Sequence, residues 1–276
     1  MKKLFSIVIS VMALLFTSCE PNKAMAFSVS SSKQVYFSKG NLQYTQSTKK
    51  WSFAKNQWDY IGTDNVTGGS VESVPMYGDE KYGDALADKI DLFGWSTNVS
   101  NFGVSTSTSS NDYSGSFVDW GTNKIGNDDP NTWRTLTYDE WCYVAFNRPN
   151  ADNLKGVAQV NGVNGLILLP DTWVCPSGVT FKSGFHSEYS VEAYGKYQTF
   201  TTDQWAKLEA AGAVFLPASG RRYGSIVDFV QYYGYCWSAT ELNSYVAYYL
   251  SFFSAEAYMR GDYRNNVLPV RLVKDL

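Results

Sequence analysis

Histidine and cysteine are scarce in this sequence, and their scarcity narrows the chemistry that the chain can perform. His186 is the one histidine in 276 residues, and no Ser or Cys accompanies it in a recognisable catalytic motif. The spacings of the four cysteines match no zinc-binding pattern. We therefore assign no catalytic residue, no metal ligand and no cofactor. The cysteines are Cys19, Cys142, Cys175 and Cys236. Three remain after Cys19, so at least one thiol stays unpaired within the chain.

Basic residues are also few. The chain has 23 Lys and Arg against 26 Asp and Glu, which gives a formal net charge of −3. Proteins that bind nucleic acid carry a basic face, so this balance argues against a nucleic-acid partner. Aromatic residues, in contrast, make up 16% of the chain, whereas disordered segments are poor in them. The composition therefore predicts a packed domain with many irregular, aromatic-filled loops.

Long apolar runs are confined to the N-terminus. The run of 13 largely apolar residues at 4–16 follows two lysines, which suits a signal peptide, and it is too short to span a bilayer. Small residues then lead into Cys19, which resembles the lipobox of bacterial lipoproteins, whose cysteine carries acyl chains. We expect a signal peptide over 1–18, lipidation at Cys19 and a lipid-anchored tether over 19–33. The alternative is a plain secretory signal in which Cys19 is incidental.

Two short segments have similar sequences, and each predicts the start of a helix. In each, a threonine N-cap is followed three residues later by a glutamate or glutamine, which completes a capping box. The segments are 136–141 (LTYDEW) and 200–205 (FTTDQW). We expect helices near 138–147 and 202–211. Capping and solvation explain the carboxylates in both segments without any catalytic role.

Strands are predicted where short apolar or alternating runs are bounded by turn residues. They are expected at 34–37, 41–45, 50–54, 164–173, 213–222, 234–240 and 268–273. The stretch 60–130 is mostly Gly, Asn, Asp and Ser with scattered aromatics, which is typical of long ordered loops. Helices and strands do not alternate regularly, so the pattern indicates an α+β class, with 34–276 as one domain.

The order of several motifs resembles a known family. The motifs are VYFSKGNLQY (35–44), TYDEW (137–141), LLPDTW (168–173), FLPASGRR (215–222), WSAT (237–240) and VRLV (270–273). Together they resemble the C-type-lectin-fold proteins related to formylglycine-generating enzymes (sulfatase-modifying factors). More closely, they are similar to lipoproteins of Gram-negative gut anaerobes that carry a major paralogous domain. The resemblance implies a C-type-lectin-like fold with two short helices, small antiparallel sheets and long loops.

The resemblance does not by itself imply catalysis. Enzymes of this superfamily use a cysteine pair with copper to oxidise a substrate cysteine, and Cys142, Cys175 and Cys236 do not match that pair. Calcium-dependent lectins need carboxylate and amide groups that WSAT (237–240) lacks. We therefore expect a binding protein that is not an enzyme. A formylglycine-generating-enzyme-like oxidoreductase and a structural or adhesin subunit of a surface assembly remain the alternatives.

Tyrosine is concentrated near the C-terminus, in 241–266. Some proteins of this fold are targets of diversity-generating retroelements, which change Asn codons near the C-terminus to Tyr, Asp or Ser codons, and this stretch resembles such a variable region. Strand alternation within 247–254 would direct Tyr249, Ser251 and Phe253 away from the core, and loop-like sequence follows. The alternative is that these aromatics pack the core.

The stretch 241–266 combines Tyr and Arg with Ser and Asn, and this is the composition of a protein-binding paratope. We therefore expect a ligand-binding face formed by Tyr245, Tyr249, Ser251, Phe253, Glu256, Tyr258, Arg260, Asp262 and Tyr263. Its partner would be a protein or a glycan at the cell surface. The protein itself would lie outside the cytoplasm, anchored in the outer membrane and facing either the periplasm or the cell exterior.

Replacing Cys19 with serine should abolish the lipid anchor, because serine lacks the thiol that would be acylated. We expect the Cys19→Ser protein to move into the aqueous phase on detergent partitioning and to lose the acyl mass in mass spectrometry. Cys175→Ser is the matched control and should keep both properties. A Cys19→Ser protein that retains the acyl mass would show that Cys19 is incidental.

Overall fold

Five small β-sheets account for most of the regular structure in a computed structural model that describes residues 25–62, 72–73, 89–95, 98, 102–224 and 226–276. The strands are β1 (Phe27–Ser28), β2 (Gln34–Phe37), β3 (Leu42–Thr45), β4 (Lys50–Phe53), β5 (Glu72–Ser73), β6 (Lys89–Ile90), β7 (Leu92–Gly94), β8 (Arg134–Thr135), β9 (Lys155–Val160), β10 (Val163–Leu168), β11 (Thr199–Phe200), β12 (Val214–Pro217), β13 (Ser219–Tyr223), β14 (Ile226–Val230), β15 (Gly234–Glu241), β16 (Val246–Phe253), β17 (Glu256–Tyr263), β18 (Asn266–Pro269) and β19 (Leu272–Asp275).

The sheets are small and mainly antiparallel. Their strand orders are β1-β2-β19-β8, β11-β9-β10-β12, β5-β14-β13-β18-β7, β15-β16-β17 and β4-β3-β6. Among the described pairings, β11 with β9 and β5 with β14 are parallel and the others are antiparallel. Small antiparallel sheets with a few short helices define an α+β protein, which confirms the predicted class.

Three α-helices are present in the described residues. They are α1 (Tyr138–Cys142), which continues as a π-helical turn over Tyr143–Asn147, α2 (Val191–Tyr197) and α3 (Thr202–Ala210). The helix starts at 138 and 202 are confirmed, and both capping boxes form. The Thr137 hydroxyl accepts the Glu140 N–H at 3.2 Å, and the Thr201 hydroxyl accepts the Gln204 N–H at 3.3 Å. Helix α2 was not predicted, and it begins at a third cap, the Ser190 hydroxyl, which accepts the Ala193 N–H.

Two predicted strands are divided because the chain passes from one sheet to another. The run 213–222 breaks at Ala218 into β12, which pairs with β10, and β13, which pairs with β14 and β18. The run 268–273 lies across β18 and β19, which belong to different sheets. The local sequence does not reveal such a transfer, because most residues of each run are buried on both sides of it.

The N-terminal sheet begins earlier than the expected domain start at residue 34. Phe27 and Val29, which were assigned to the tether, are 1% and 2% exposed and pack into the core. The Asp171 carboxylate holds this segment by accepting the Ser28 N–H at 2.8 Å and the buried Arg148 guanidinium at 2.9 Å. The signal peptide at 1–18 and Cys19 lie outside the described residues. No described helix has the length and apolarity needed to cross a bilayer.

Strand β16 stands between two of the three core clusters. Leu250 and Phe252 join a cluster around Trp141, whereas Ala247 and Tyr249 join one around Trp237. Both faces of β16 are therefore covered, and its position is fixed by packing on either side. This constraint sets the place of its neighbour β17, which forms the edge of the three-stranded sheet.

Removing either threonine cap should weaken folding without altering the sheets. Thr137→Ala and Thr201→Ala should each lower the free energy of unfolding by about 1 kcal/mol, because each removes the side-chain acceptor of a helix N-terminus. Denaturant unfolding measures the change. Thr202→Ala is the control, since that hydroxyl donates to the exposed Asn161 side chain rather than accepting a helix N–H. Cap variants that unfold at the parent midpoint would contradict this assignment.

Candidate functional site

The C-terminal stretch that carries the predicted site folds as a long hairpin. Strands β16 and β17 pair over eight residues each, from Val246 opposite Tyr263 to Phe253 opposite Glu256. The sequence EAYMRGDY in β17 alternates, with Ala257 and Met259 packed against the core. The expectation that this segment is loop-like was wrong. Its alternation was overlooked because its outward residues are polar and its inward ones are small or flexible.

The outward side chains of β16 and β17 line a groove. One recess has a volume of about 290 Å³ and is lined by Arg221, Phe229, Tyr232, Tyr233, Tyr235, Tyr249, Ser251, Tyr258, Arg260 and Asp262. An adjoining recess of about 320 Å³ is lined by Tyr189, Tyr233, Phe253, Glu256, Tyr258 and Arg260. Three residues, Tyr233, Tyr258 and Arg260, are shared. We call the two recesses together the tyrosine groove.

One wall of the tyrosine groove comes from the β13–β14 hairpin, and an ion-pair bridge ties it to β17. The Arg221 guanidinium donates to Asp228 at 3.1 Å and to Asp262 at 3.3 Å. The three side chains are between 22% and 29% exposed, so solvent screens the bridge in part. Its main effect is geometric, because a planar guanidinium with two carboxylate partners fixes the position of all three groups.

The end of β14 and the turn that follows it are strained and anchored. Phe229 and Gln231 adopt φ values of 61° and 64°, in the left-handed region that non-glycine residues rarely occupy. Gln231 holds this turn by donating its N–H to Ala218 at 2.6 Å and accepting the Asn164 N–H at 2.7 Å. Such conformations concentrate at ligand clamps and active sites. Here the strained turn places the Phe229 and Tyr233 rings in the groove wall.

Tyr233 is the junction of the aromatic lining. Its ring lies 5.9 Å from the ring of Tyr235, nearly parallel to it, and meets the rings of Tyr232 and Phe253 edge-on at 4.7 Å and 5.3 Å. Edge-to-face and offset pairs of this kind are favourable beyond the area they bury. The rings therefore form one connected, stiff surface that the two recesses share.

Burial disfavours ionisation of the phenols in the groove lining. It raises the pKa of Tyr249 to about 12, with the nearby Asp262 carboxylate adding to the effect. Burial also raises the pKa of Tyr233, and that of Tyr235 well above its usual value. These hydroxyls thus stay protonated at neutral pH and both donate and accept hydrogen bonds. The Arg260 guanidinium, whose carbon lies 5.3 Å from the Tyr258 ring centre, adds a fixed set of donors.

Most of the predicted binding residues meet in this groove. Seven of them line it, namely Tyr249, Ser251, Phe253, Glu256, Tyr258, Arg260 and Asp262. Tyr245 and Tyr263 do not. They are 48% and 57% exposed at the far end of the hairpin. The expectation of exposure was wrong for Tyr249, Ser251 and Phe253, which are at most 5% exposed. The rings of Tyr189 and Tyr233 pack against Phe253 and the ring of Tyr235 packs against Tyr249, so the β16 residues form the floor of the groove.

The other wall of the groove was missed. Arg221, Phe229, Tyr232, Tyr233 and Tyr235 come from a segment that precedes the tyrosine-rich stretch, and Tyr189 comes from a loop before α2. The run VQYYGY at 230–235 is as aromatic as the C-terminal stretch and is a local signal for this wall. Its apposition to β17 depends on long-range pairing, which no local pattern reveals.

A further recess lies elsewhere and holds none of the predicted binding residues. Its volume is about 350 Å³, and Phe27, Tyr36, Gln57 and Glu209 are among its lining residues. It includes Met25, where the description of the chain begins. The tyrosine groove differs from it in composition rather than in size, because the groove lining has eight aromatic and four charged side chains and the other recess has three and two.

The cysteines and the histidine lie apart from the groove lining. Cys142, Cys175 and Cys236 are free thiols, and burial raises the pKa of Cys236 to about 12. The His186 ring accepts the Glu188 N–H at 2.9 Å through Nδ1. Within the described ranges, no group of three or more His, Cys, Asp or Glu residues is arranged to hold a metal ion.

Comparisons of the chain with protein-family models, with curated proteins and with solved structures gave no match. The class that the fold defines is therefore an α+β protein of small antiparallel sheets, with an aromatic and charged groove on its C-terminal hairpin.

Proposed function

We propose that this protein is a non-catalytic binding protein whose ligand occupies the tyrosine groove. One observation carries the proposal: outward side chains of the C-terminal hairpin and side chains from 221–235 converge on a single concave surface. Binding sites are concave, are rich in aromatic side chains and contain a few well-placed polar groups. The groove has all three properties.

The chemistry of the lining supports recognition rather than catalysis. Tyrosine and arginine provide large contacts while losing little conformational freedom, and they dominate binding energies in many interfaces. Ser251 and the neutral phenols add hydrogen-bonding groups whose direction is set by the surrounding packing. The charged lining residues, such as Arg221 and Asp262, already bond to each other, which orients them for a ligand.

The groove is organised before a ligand arrives. Its floor is buried, its turn is held through Gln231, and its walls are joined through Arg221. Rigid sites bind more tightly because less freedom is lost on association. This pre-organisation is what a scaffold for a variable surface requires, since changes at the outward positions of β17 leave the inward Ala257 and Met259 untouched.

The remaining parts of the proposal rest on sequence motifs. We propose the C-type-lectin-like form of the α+β class, in a lipoprotein anchored through Cys19 outside the cytoplasm, with 241–266 diversified by a retroelement. Support comes from the order of the motifs and from the location of the groove in that same stretch. Diversification requires a near-copy of the codons for 241–266 beside the gene, differing almost only at adenines, and its absence would remove that part alone.

Substitution of two groove residues should abolish ligand retention while leaving the fold intact. In Tyr258→Ala/Arg260→Ala, both changed side chains lie on the outer face of β17. The melting temperature should therefore change by no more than about 3 °C. Retention of cell-surface material on the immobilised protein should fall at least about tenfold, as for the loss of interface anchors.

The matched control is Tyr245→Ala/Tyr263→Ala, which removes two exposed tyrosines of the same hairpin that lie outside the groove. It should retain the parent's capture. Equal retention by the groove variant and the parent would contradict the proposal. Unfolding of the groove variant would show instead that these side chains serve packing.

A further inference from the structure

We propose that the tyrosine groove takes a neutral, extended oligosaccharide. This inference rests on the proposed function and names the class of ligand. The groove offers flat aromatic faces, hydroxyl groups and paired charges along an extended surface, and each of these features narrows the chemistry of the occupant.

The first feature is charge balance. The charged residues of the lining are Arg221, Arg260, Glu256 and Asp262, two of each sign, and Asp228, which also pairs with Arg221, brings the local formal charge to −1. Arg221 and Asp262 also neutralise each other directly at 3.3 Å. An ionic ligand such as a polyanion would meet no net attraction here. A neutral ligand rich in hydroxyl groups would find both donors and acceptors.

The second feature is the combination of ring faces with polar groups. The face of a tyrosine ring carries partial negative charge and attracts polarised C–H groups. A sugar ring presents such C–H groups on its face and hydroxyls around its rim. The rings of Tyr233 and Tyr258 line both recesses, next to the guanidinium of Arg260. A guanidinium donates to two adjacent oxygens, and a carboxylate accepts two hydroxyls, which suits neighbouring hydroxyls on one ring.

The third feature is length. Side chains on one face of a strand repeat about every 7 Å, so Glu256 to Asp262 spans about 20 Å along β17. The two recesses lie along this line and share Tyr233. Each has about the volume of the smallest ligand pockets. A chain of several sugar rings fits this arrangement better than a single ring.

A protein partner fits the groove less well. The cores of protein interfaces are depleted of Asp and Glu, whereas the groove lining has Glu256 at one end and Asp262 at the other, and Asp262 is ion-paired to the opposite wall. A protein docking on this face would have to cover both carboxylates or supply a counter-charge for each. A hydroxyl-bearing ligand hydrogen-bonds to them directly.

The test uses the full chain in detergent on an array of neutral and acidic oligosaccharides, followed by calorimetric titration with a neutral hexasaccharide that binds. We expect Tyr258→Ala to weaken binding by about tenfold or more, and Tyr263→Ala to change it by less than about twofold. A disaccharide of the same sugar should bind about tenfold more weakly, because it fills one recess. Raising the salt concentration should change the affinity little, since a neutral saccharide carries no charge to be screened.

Three further variants separate binding from folding. Tyr258→Phe keeps the stacking ring and should retain most of the affinity. Arg260→Gln alters an exposed side chain and should weaken binding without a change in melting temperature. The proposal would be overturned if Tyr258→Ala lost binding while Arg260→Gln and a folded Tyr258→Leu both kept full affinity. The loss in Tyr258→Ala would then come from reduced protein stability and not from a lost ligand contact.

The remaining outcomes also decide the question. Binding to acidic saccharides alone would overturn the neutral class. No Tyr258-dependent binding on the array, together with groove-dependent retention of a surface protein, would overturn the saccharide and leave the proposed function standing. If neither kind of binding depends on the groove, the proposed function fails as well.

Discussion

Three fully buried arginines, Arg222, Arg264 and Arg271, impose the constraint on which the rest of the structure depends. A guanidinium removed from water is costly unless its donors are satisfied. The terminal nitrogens of each donate to acceptors that lie mainly in segments distant in sequence, while the Nε of each has no hydrogen-bond partner among the described residues. Arg271, for example, donates to Gln57 Oε1 at 2.7 Å and to the Lys39 carbonyl at 3.2 Å.

The N–H groups of these three guanidiniums hold together segments that have little regular structure. We call the three arginines and their acceptors the arginine frame. Burial lowers the pKa of Arg222 and of Arg271 to about 10, so both remain charged at neutral pH. Carbonyls that accept from them must stay in place, because releasing one leaves a buried charge without a partner. Arg264 connects this frame to the groove. It directly follows β17, donates to the carbonyls of Gly115 at 2.9 Å and Asn243 at 2.6 Å, and its guanidinium lies 4.4 Å from the Trp95 ring centre.

In the C-terminal region, one set of residues thus supports the fold and another set forms the groove. Inward residues of the hairpin and the arginines that flank it hold the sheet in position. The outward residues of β17 then contribute to the groove without supporting the core. This separation explains how Tyr, Arg and Asp are tolerated side by side on one strand, and it is the physical basis for treating them as binding residues.

Sequence reasoning succeeded where the determinants are local. The capping boxes at Thr137 and Thr201 satisfy backbone groups within one helical turn, so their geometry follows from four residues. Strand β17 was misread although its alternation is also local, because Arg260 and Tyr258 suggested a surface loop. The opposing groove wall was not predictable, since it needs Arg221 to reach Asp262 across 41 positions. Division of strands between sheets, as at Ala218, is likewise set by distant partners.

The central claim is that one groove on this rigid frame receives the ligand. Amide hydrogen–deuterium exchange on the full chain, with and without the material that the groove retains, tests it most directly. We predict that bound ligand slows amide exchange only in 229–235 and 249–263. A ligand in the groove covers these segments, whereas the buried arginine frame is already protected. Protection of 25–39, beside the other recess, with no change at 249–263 would contradict the account.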